Sequence, residues 1–227
     1  MSSHRRRSIR KRSDVTTDDL RCVSDIYPVS RETAERLTIY VDLVVKWQKS
    51  QNLVAPGTLP QIWRRHVADS VQVAAIRPEA TRWLDLGSGA GFPGLVTAIV
   101  NADRPGAVVH LVESNHGKAA FLRTVARETG VAAIVHTVRI EEFVADFAEP
   151  IEAISARALA PLVRLIPMVA PLVGRGAVAV FHKGQDFASE LADATASWDL
   201  NLVEHPSRIE PGSRLVEIRG IAPRAPT

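Results

Sequence analysis

Apolar residues recur along this 227-residue chain in two different rhythms. Over residues 29–51 Ala34, Leu37, Tyr40, Val41, Val44 and Val45 fall at helical spacing, and over 62–76 Val67, Val71 and Ala74 do the same, which predicts two amphipathic helices. Ser30 stands where an N-cap belongs, and Pro56, Gly57 and Pro60 interrupt the pattern between them. From residue 82 the rhythm shortens. Apolar runs at 82–86, 108–113, 134–138, 153–155 and 177–182 read as strands, separated by helix-like stretches at 94–101, 117–129, 141–147, 162–172 and 187–197. Such alternation predicts right-handed crossovers and a parallel sheet covered on both faces. The end departs from it: the runs at 198–203 and 215–219 are joined through Pro206, Pro211 and Gly212 without a helix-length insert, as in an antiparallel edge pair. The expected organisation is a basic, disordered tail over 1–20, a small helical cap over 21–80, an α/β core over 81–220 and a short tail over 221–227.

Composition narrows this picture. With 46% hydrophobic and 23% charged residues, a chain of this length builds one α/β domain and a small appendage. No run approaches the ~18 consecutive apolar residues of a membrane span, and the basic start has no apolar core behind it, so a cytoplasmic protein is expected. A lone cysteine, Cys22, excludes an internal disulfide framework and any multi-cysteine metal site. The formal charge of +3 hides an asymmetry: Arg5, Arg6, Arg7, Arg10, Lys11 and Arg12 crowd the first residues, and setting those six aside leaves 22 basic against 25 acidic side chains. A nucleic-acid partner would therefore meet a local patch, aided by a tail whose contribution is salt-sensitive and nonspecific.

The candidate chemistry lies where the first strand ends, in Leu84-Asp85-Leu86-Gly87-Ser88-Gly89-Ala90-Gly91-Phe92-Pro93-Gly94. Glycines in such a turn allow a tight bend, close approach of a ligand to the backbone, and packing of the next helix on the strand. Dinucleotide enzymes space them G-x-G-x-x-G to receive a pyrophosphate. Here the spacing is G-x-G-x-G, with Asp85 two residues ahead. A second apolar run, Val108-Val109-His110-Leu111-Val112, ends in Glu113, in the range of a ribose-binding acid. The pair predicts the S-adenosylmethionine site of a Rossmann-like class I methyltransferase, with a nicotinamide enzyme or another nucleotide binder as the alternatives.

Acceptor-binding groups are expected just beyond the fourth and fifth strands, at Ser155-Ala156-Arg157-Ala158-Leu159-Ala160-Pro161 and Phe181-His182-Lys183-Gly184. The Asn-Pro-Pro-aromatic motif common in amino-group methyltransferases is absent there, and Cys22 is badly placed as a nucleophile for pyrimidine C5. An acceptor needing little activation remains, and guanine N7, with an in-plane lone pair and no proton to remove, is one. Arg157 is the best catalytic candidate, since arginine donates in a bidentate manner to guanine O6 or to phosphate.

Taken in order, these segments resemble the small-subunit ribosomal RNA methyltransferase G family, also called glucose-inhibited division protein B. The likeness runs from about residue 29 to 219 and includes Lys46-Trp47, Asn52-Leu53, Arg65-His66-Val67-Ala68-Asp69-Ser70, the glycine turn, Glu113-Ser114, Arg139-Ile140-Glu141-Glu142, Ser155-Ala156-Arg157-Ala158 and Lys183-Gly184. Two departures stand out: Gln48 replaces the asparagine common after the tryptophan, and the basic start is longer than usual. The resemblance implies methyl transfer from S-adenosylmethionine to N7 of one guanine in the decoding-region loop of 16S ribosomal RNA. Cofactor contacts are then expected at Asp85, Gly87, Gly89, Gly91, Phe92, Glu113, Ile140, Glu141 and Arg157, with Ile140 and Glu141 at the adenine edge. RNA contacts are expected at Arg64, Arg65, Lys118, Arg123 and Lys183, with Lys46, Lys49 and Arg164 adding positive charge. His66 and Asp69 are secondary candidates. The expected partner is 16S ribosomal RNA or the 30S subunit, met by a monomer with no metal and no membrane contact. A small-molecule methyltransferase of the same fold and a catalytically silent RNA-binding assembly protein are the competing functions.

Overall fold

The computed structural model describes residues 15–224. Four short elements and one long helix precede the sheet. Helix α1 (Thr17–Ser24) opens on a capping box in which Asp19 N–H donates to Thr16 Oγ1 and Thr16 N–H to Asp19 Oδ2. Helix α2 (Arg31–Trp47) is capped by Ser30, as the sequence predicts. The interruption at the prolines is a 3-10 turn (Pro56–Gln61), and the second expected helix divides in two, a π-helical turn (Trp63–Ala68) and α3 (Asp69–Ile76). The tail expected over 1–20 is thus shortened by α1, and residues 1–14, with their arginine cluster, lie outside the described part.

The core follows as β1 (Arg82–Leu86), α4 (Gly94–Val100), β2 (Val108–Val112), α5 (His116–Thr129), β3 (Ala133–His136), α6 (Ile140–Asp146), β4 (Ala153–Arg157), α7 (Leu162–Val173), β5 (Val178–Lys183), α8 (Phe187–Thr195), β6 (Trp198–Pro206) and β7 (Arg214–Pro223). The sheet order is β3-β2-β1-β4-β5-β7-β6, parallel except for β7, which runs antiparallel to both its neighbours. β7 continues to Pro223, past the end expected for the core.

Strand alternation explains how β1 serves two cores at once. Leu84 and Leu86 pack with Phe181 and Leu165 on one face. Trp83 packs with Tyr40, Phe121 and Leu95 on the other, where α2 and α4 lie. Asp85 shares that second face and is buried there. Strand order reverses between β1 and β4, and ligands of such sheets bind outside the carboxyl ends at that point.

Candidate functional site

At that reversal the chain turns through Gly87, Gly89 and Gly91 with φ of +64°, +54° and +95°, a region side chains with a Cβ rarely adopt. Glu113, one residue beyond β2, ties the turn down: its Oε2 accepts from Gly89 N–H at 2.8 Å and its Oε1 from Asn115 N–H at 2.7 Å. Each carboxylate oxygen keeps a free lone pair. Glu113 borders a cavity of about 670 Å³ that Gly87, Ser88, Gly89, Phe92, Ile140, Glu141 and Arg157 also line. Leu53 and Val54 cover it from the cap, in a loop closed by Gln48, whose Oε1 accepts from both their N–H groups and whose Nε2 donates to the Val54 carbonyl. The departure at Gln48 is therefore a loop brace.

Two expected cofactor contacts stand elsewhere. Asp85 lies beneath the turn and not on the cavity: Ser155 Oγ donates to its Oδ1 at 2.6 Å, joining β1 to β4, and burial pushes its pKa up to about 6. Gly91 also faces away from the cavity, because a Cβ there would meet Leu95 and the Tyr40 hydroxyl. Tyr40, which the sequence offers only as a core residue, donates to the Ala90 carbonyl at 2.6 Å and pins the turn to α2.

Arg157, the last residue of β4, is held by the π-helical turn. Its Nη1 donates to Asp69 Oδ2 at 3.1 Å and to the Arg65 carbonyl at 3.2 Å, and its Nη2 lies 2.8 Å from His66 Nδ1. Arginine only donates, so Nδ1 accepts. Thr58 Oγ1 gives its proton to the Ala55 carbonyl and lies 2.7 Å from His66 Nε2, so that nitrogen carries the imidazole proton. His66 is a neutral, fixed tautomer, and burial together with the Arg157 charge pushes its pKa down to about 4. Phe92 floors the group, 5.0 Å from the His66 ring and 5.4 Å from the guanidinium. His182, next strand along, sets its Nε2 3.0 Å from the Asp69 carbonyl. His66 and Asp69 are thus brought to Arg157; the R-H-x-x-D spacing signals this only once the π turn is known.

The expected RNA contacts scatter. Arg64 and Arg65 are exposed, the latter 3.3 Å from Glu210; Lys118 borders the first cavity; exposed Arg123 donates to the Val135 carbonyl and Thr137 Oγ1. Lys183 requires a correction. Its side chain is 6% exposed and its Nζ donates to Glu190 and to the Ala160 carbonyl, so its charge is neutralised within the protein and is not presented at the surface for RNA.

Sheet order, antiparallel β7 and the glycine turn at the reversal define a Rossmann-like class I methyltransferase fold. The same fold is seen in cofactor-bound Rv0187 from MTB, at a TM-score of 0.54 and 15% identity over 89% of this chain and 96% of that one. The chain belongs to the rRNA small subunit methyltransferase G family, whose model matches residues 33–211. The ribosomal RNA small subunit methyltransferase G of Parvibaculum lavamentivorans is 50% identical over 204 residues, 89% of this chain and 90% of that protein. Its counterpart from Rhizobium etli is 50% identical over 195 residues, 85% and 95% of the two chains. Among the described residues no helix is long and apolar enough to cross a membrane.

Proposed function

We propose that this protein transfers the methyl group of S-adenosylmethionine to N7 of one guanine in the decoding-region loop of 16S ribosomal RNA, as a cytoplasmic monomer without a metal. The observation that carries this is the convergence of the Gly89 backbone, the two-oxygen Glu113 carboxylate and Arg157 on one cavity, in a chain of this family. The donor set suits the nucleoside: the lone pairs left on Glu113 match two ribose hydroxyls, and Ile140 and Glu141 border the place of the adenine. When bound, the cofactor supplies a methyl carbon activated by a sulfonium.

The chain's own task is alignment. Guanine N7 carries no proton, so no strong general base is required, and holding acceptor and donor in line can supply roughly 7–11 kcal/mol. Of its five N–H donors Arg157 spends three on Asp69, Arg65 and His66 and keeps two for an acceptor oxygen. Small-subunit RNA from cells lacking the protein should lose one borohydride/aniline cleavage site, the mark of N7-methylguanosine. An unchanged cleavage pattern would refute the assignment.

A further inference from the structure

A second cavity of about 400 Å³ adjoins the first, and His66, Arg157 and Ala158 line both, so the two share a wall. The glycine turn and Glu113 line only the first. Arg65, His182, Ser207 and Glu210 line only the second.

Two features mark this second cavity as a built site. Glu210 is presented by a braced loop: Ser207 Oγ accepts from the N–H groups of Ile209 and Glu210, and Gln72 Oε1 accepts from Arg208 N–H at 2.7 Å. Among the described residues the Glu210 carboxylate itself meets only Arg65, in an ion pair whose side chains are 44% and 43% exposed. Pairs so open to water contribute little, and a ligand that donates to the carboxylate displaces one readily.

The walls therefore offer a carboxylate that belongs to this cavity alone, and a guanidinium with two spare donors on the side shared with the first. A planar ligand complementary to both has paired donors on one edge and an acceptor on the opposite one. Guanine has that pattern, with N1–H and the 2-amino group on one edge and O6 and N7 on the other; adenine lacks the donors at the first edge. The volume is at the small end for ligand clefts and suits one nucleotide taken out of its stack.

Building on the function proposed above, we infer that this second cavity receives the acceptor guanine itself, with Glu210 accepting from N1–H and the 2-amino group and Arg157 donating to O6. N7 then faces the shared wall and the first cavity. Glu210 is the residue that selects guanine.

The test couples Glu210 to the 2-amino group. Small subunits are reconstituted on 16S RNA ligated to carry guanosine or inosine at the acceptor position, and kcat/KM is measured for the wild type, Glu210→Ala and Glu210→Gln. Inosine should slow the wild type by about ten- to a hundredfold, the worth of a hydrogen bond to a charged group. Both variants should be slowed similarly on guanosine and lose less than threefold more on inosine. Binding of S-adenosylhomocysteine by calorimetry should stay within twofold of wild type, which shows that the variants fold. If inosine slows wild type and the folded variants by the same factor, the Glu210 assignment is overturned while the methyltransferase reaction stands. If the wild type transfers no methyl to guanosine subunits, the proposed function fails and this inference with it.

Discussion

Replacing Glu113 by glutamine should destabilise the glycine turn and weaken S-adenosylhomocysteine binding about tenfold or more, although the two side chains have the same shape. Both carboxylate oxygens already accept a backbone N–H, from Gly89 at 2.8 Å and Asn115 at 2.7 Å. An amide has one acceptor oxygen, so whichever way it turns its NH2 meets one of those donors head on. One charge-assisted hydrogen bond, about 1.5–3 kcal/mol, is lost, and the N–H left without a partner adds about 1–3 kcal/mol. Relaxation of the turn keeps the sum near its lower end, about 3 kcal/mol, a cost borne by the fold whether or not a ligand is bound. The melting temperature should therefore drop by about 6–12 °C, at roughly 2–4 °C per kcal/mol for a chain of this size, and binding loses in addition a charge-assisted bond to the ribose, about 1.5–3 kcal/mol or roughly ten- to a hundredfold. Glu113→Ala should bind no worse than Glu113→Gln, because water entering from the cavity can satisfy both N–H groups. Calorimetric titration with the unreactive product and a melting scan measure both effects. A glutamine variant within threefold of wild-type affinity and unchanged in melting would show that Glu113 does not shape the cavity through Gly89 and Asn115.

Arg157→Lys keeps the charge but cannot reach His66, Asp69 and the Arg65 carbonyl together; methyl transfer should fall at least tenfold with the melting temperature within a few degrees, and an unaltered rate would remove Arg157 from the reaction. Asp85→Asn tests the buried acid: its pKa rises from 3.8 to about 6 on folding, so the native state holds the proton more tightly and stability is lost as pH rises through that window. Above pH 6 this amounts to about 3 kcal/mol that asparagine escapes, so the variant's melting advantage should grow from pH 4 to pH 7; a difference flat with pH would refute it. Lys183→Met leaves Glu190 without its cation and should cost about 3 kcal/mol, or roughly 6–12 °C in melting temperature. The salt dependence of RNA binding should not change, whereas a phosphate contact would lower its slope by about one.

The strand and turn around Gly87 are legible in the sequence because short-range physics fixes them. Alternation in Trp83-Leu84-Asp85-Leu86 feeds two cores, and positive φ at Gly87 and Gly89 demands glycine. The carboxylate of Glu113 is legible from its place one residue beyond the next strand. Asp85 is misread because an acid near a strand end can point to the cleft or to a face, and only alternation with Trp83 sends it under α4. Lys183 is misread because its partner, Glu190, sits on the following helix and enters no local pattern. Helix α1 hides for the opposite reason: eight residues with one buried side chain, Val23, give too little periodicity, although the Thr16 and Asp19 capping pair is present. Periodicity cannot separate a π turn from an α-helix over six residues, so the meeting of His66 and Asp69 with Arg157 stays hidden too.

That meeting gives the helical cap a role beyond covering the sheet. Among the described residues every polar contact of the Arg157 guanidinium comes from residues 65–69, and His66 is in turn fixed through Thr58 to the Ala55 carbonyl. Tyr40 on α2 holds the Ala90 carbonyl, and the Tyr40 and Phe92 rings lie 5.0 Å apart, so the floor under His66 is pinned to the same cap. The wall between the two cavities is thus built from cap residues clamped onto a strand end of the core. A protonated His66 would turn a second donor toward the guanidinium and break the clamp, and the depressed pKa prevents this at neutral pH. In the proposed reaction, which needs alignment and not proton removal, rigidity of that wall is what the rate depends on, and cap residues that line both cavities set it as much as the core does.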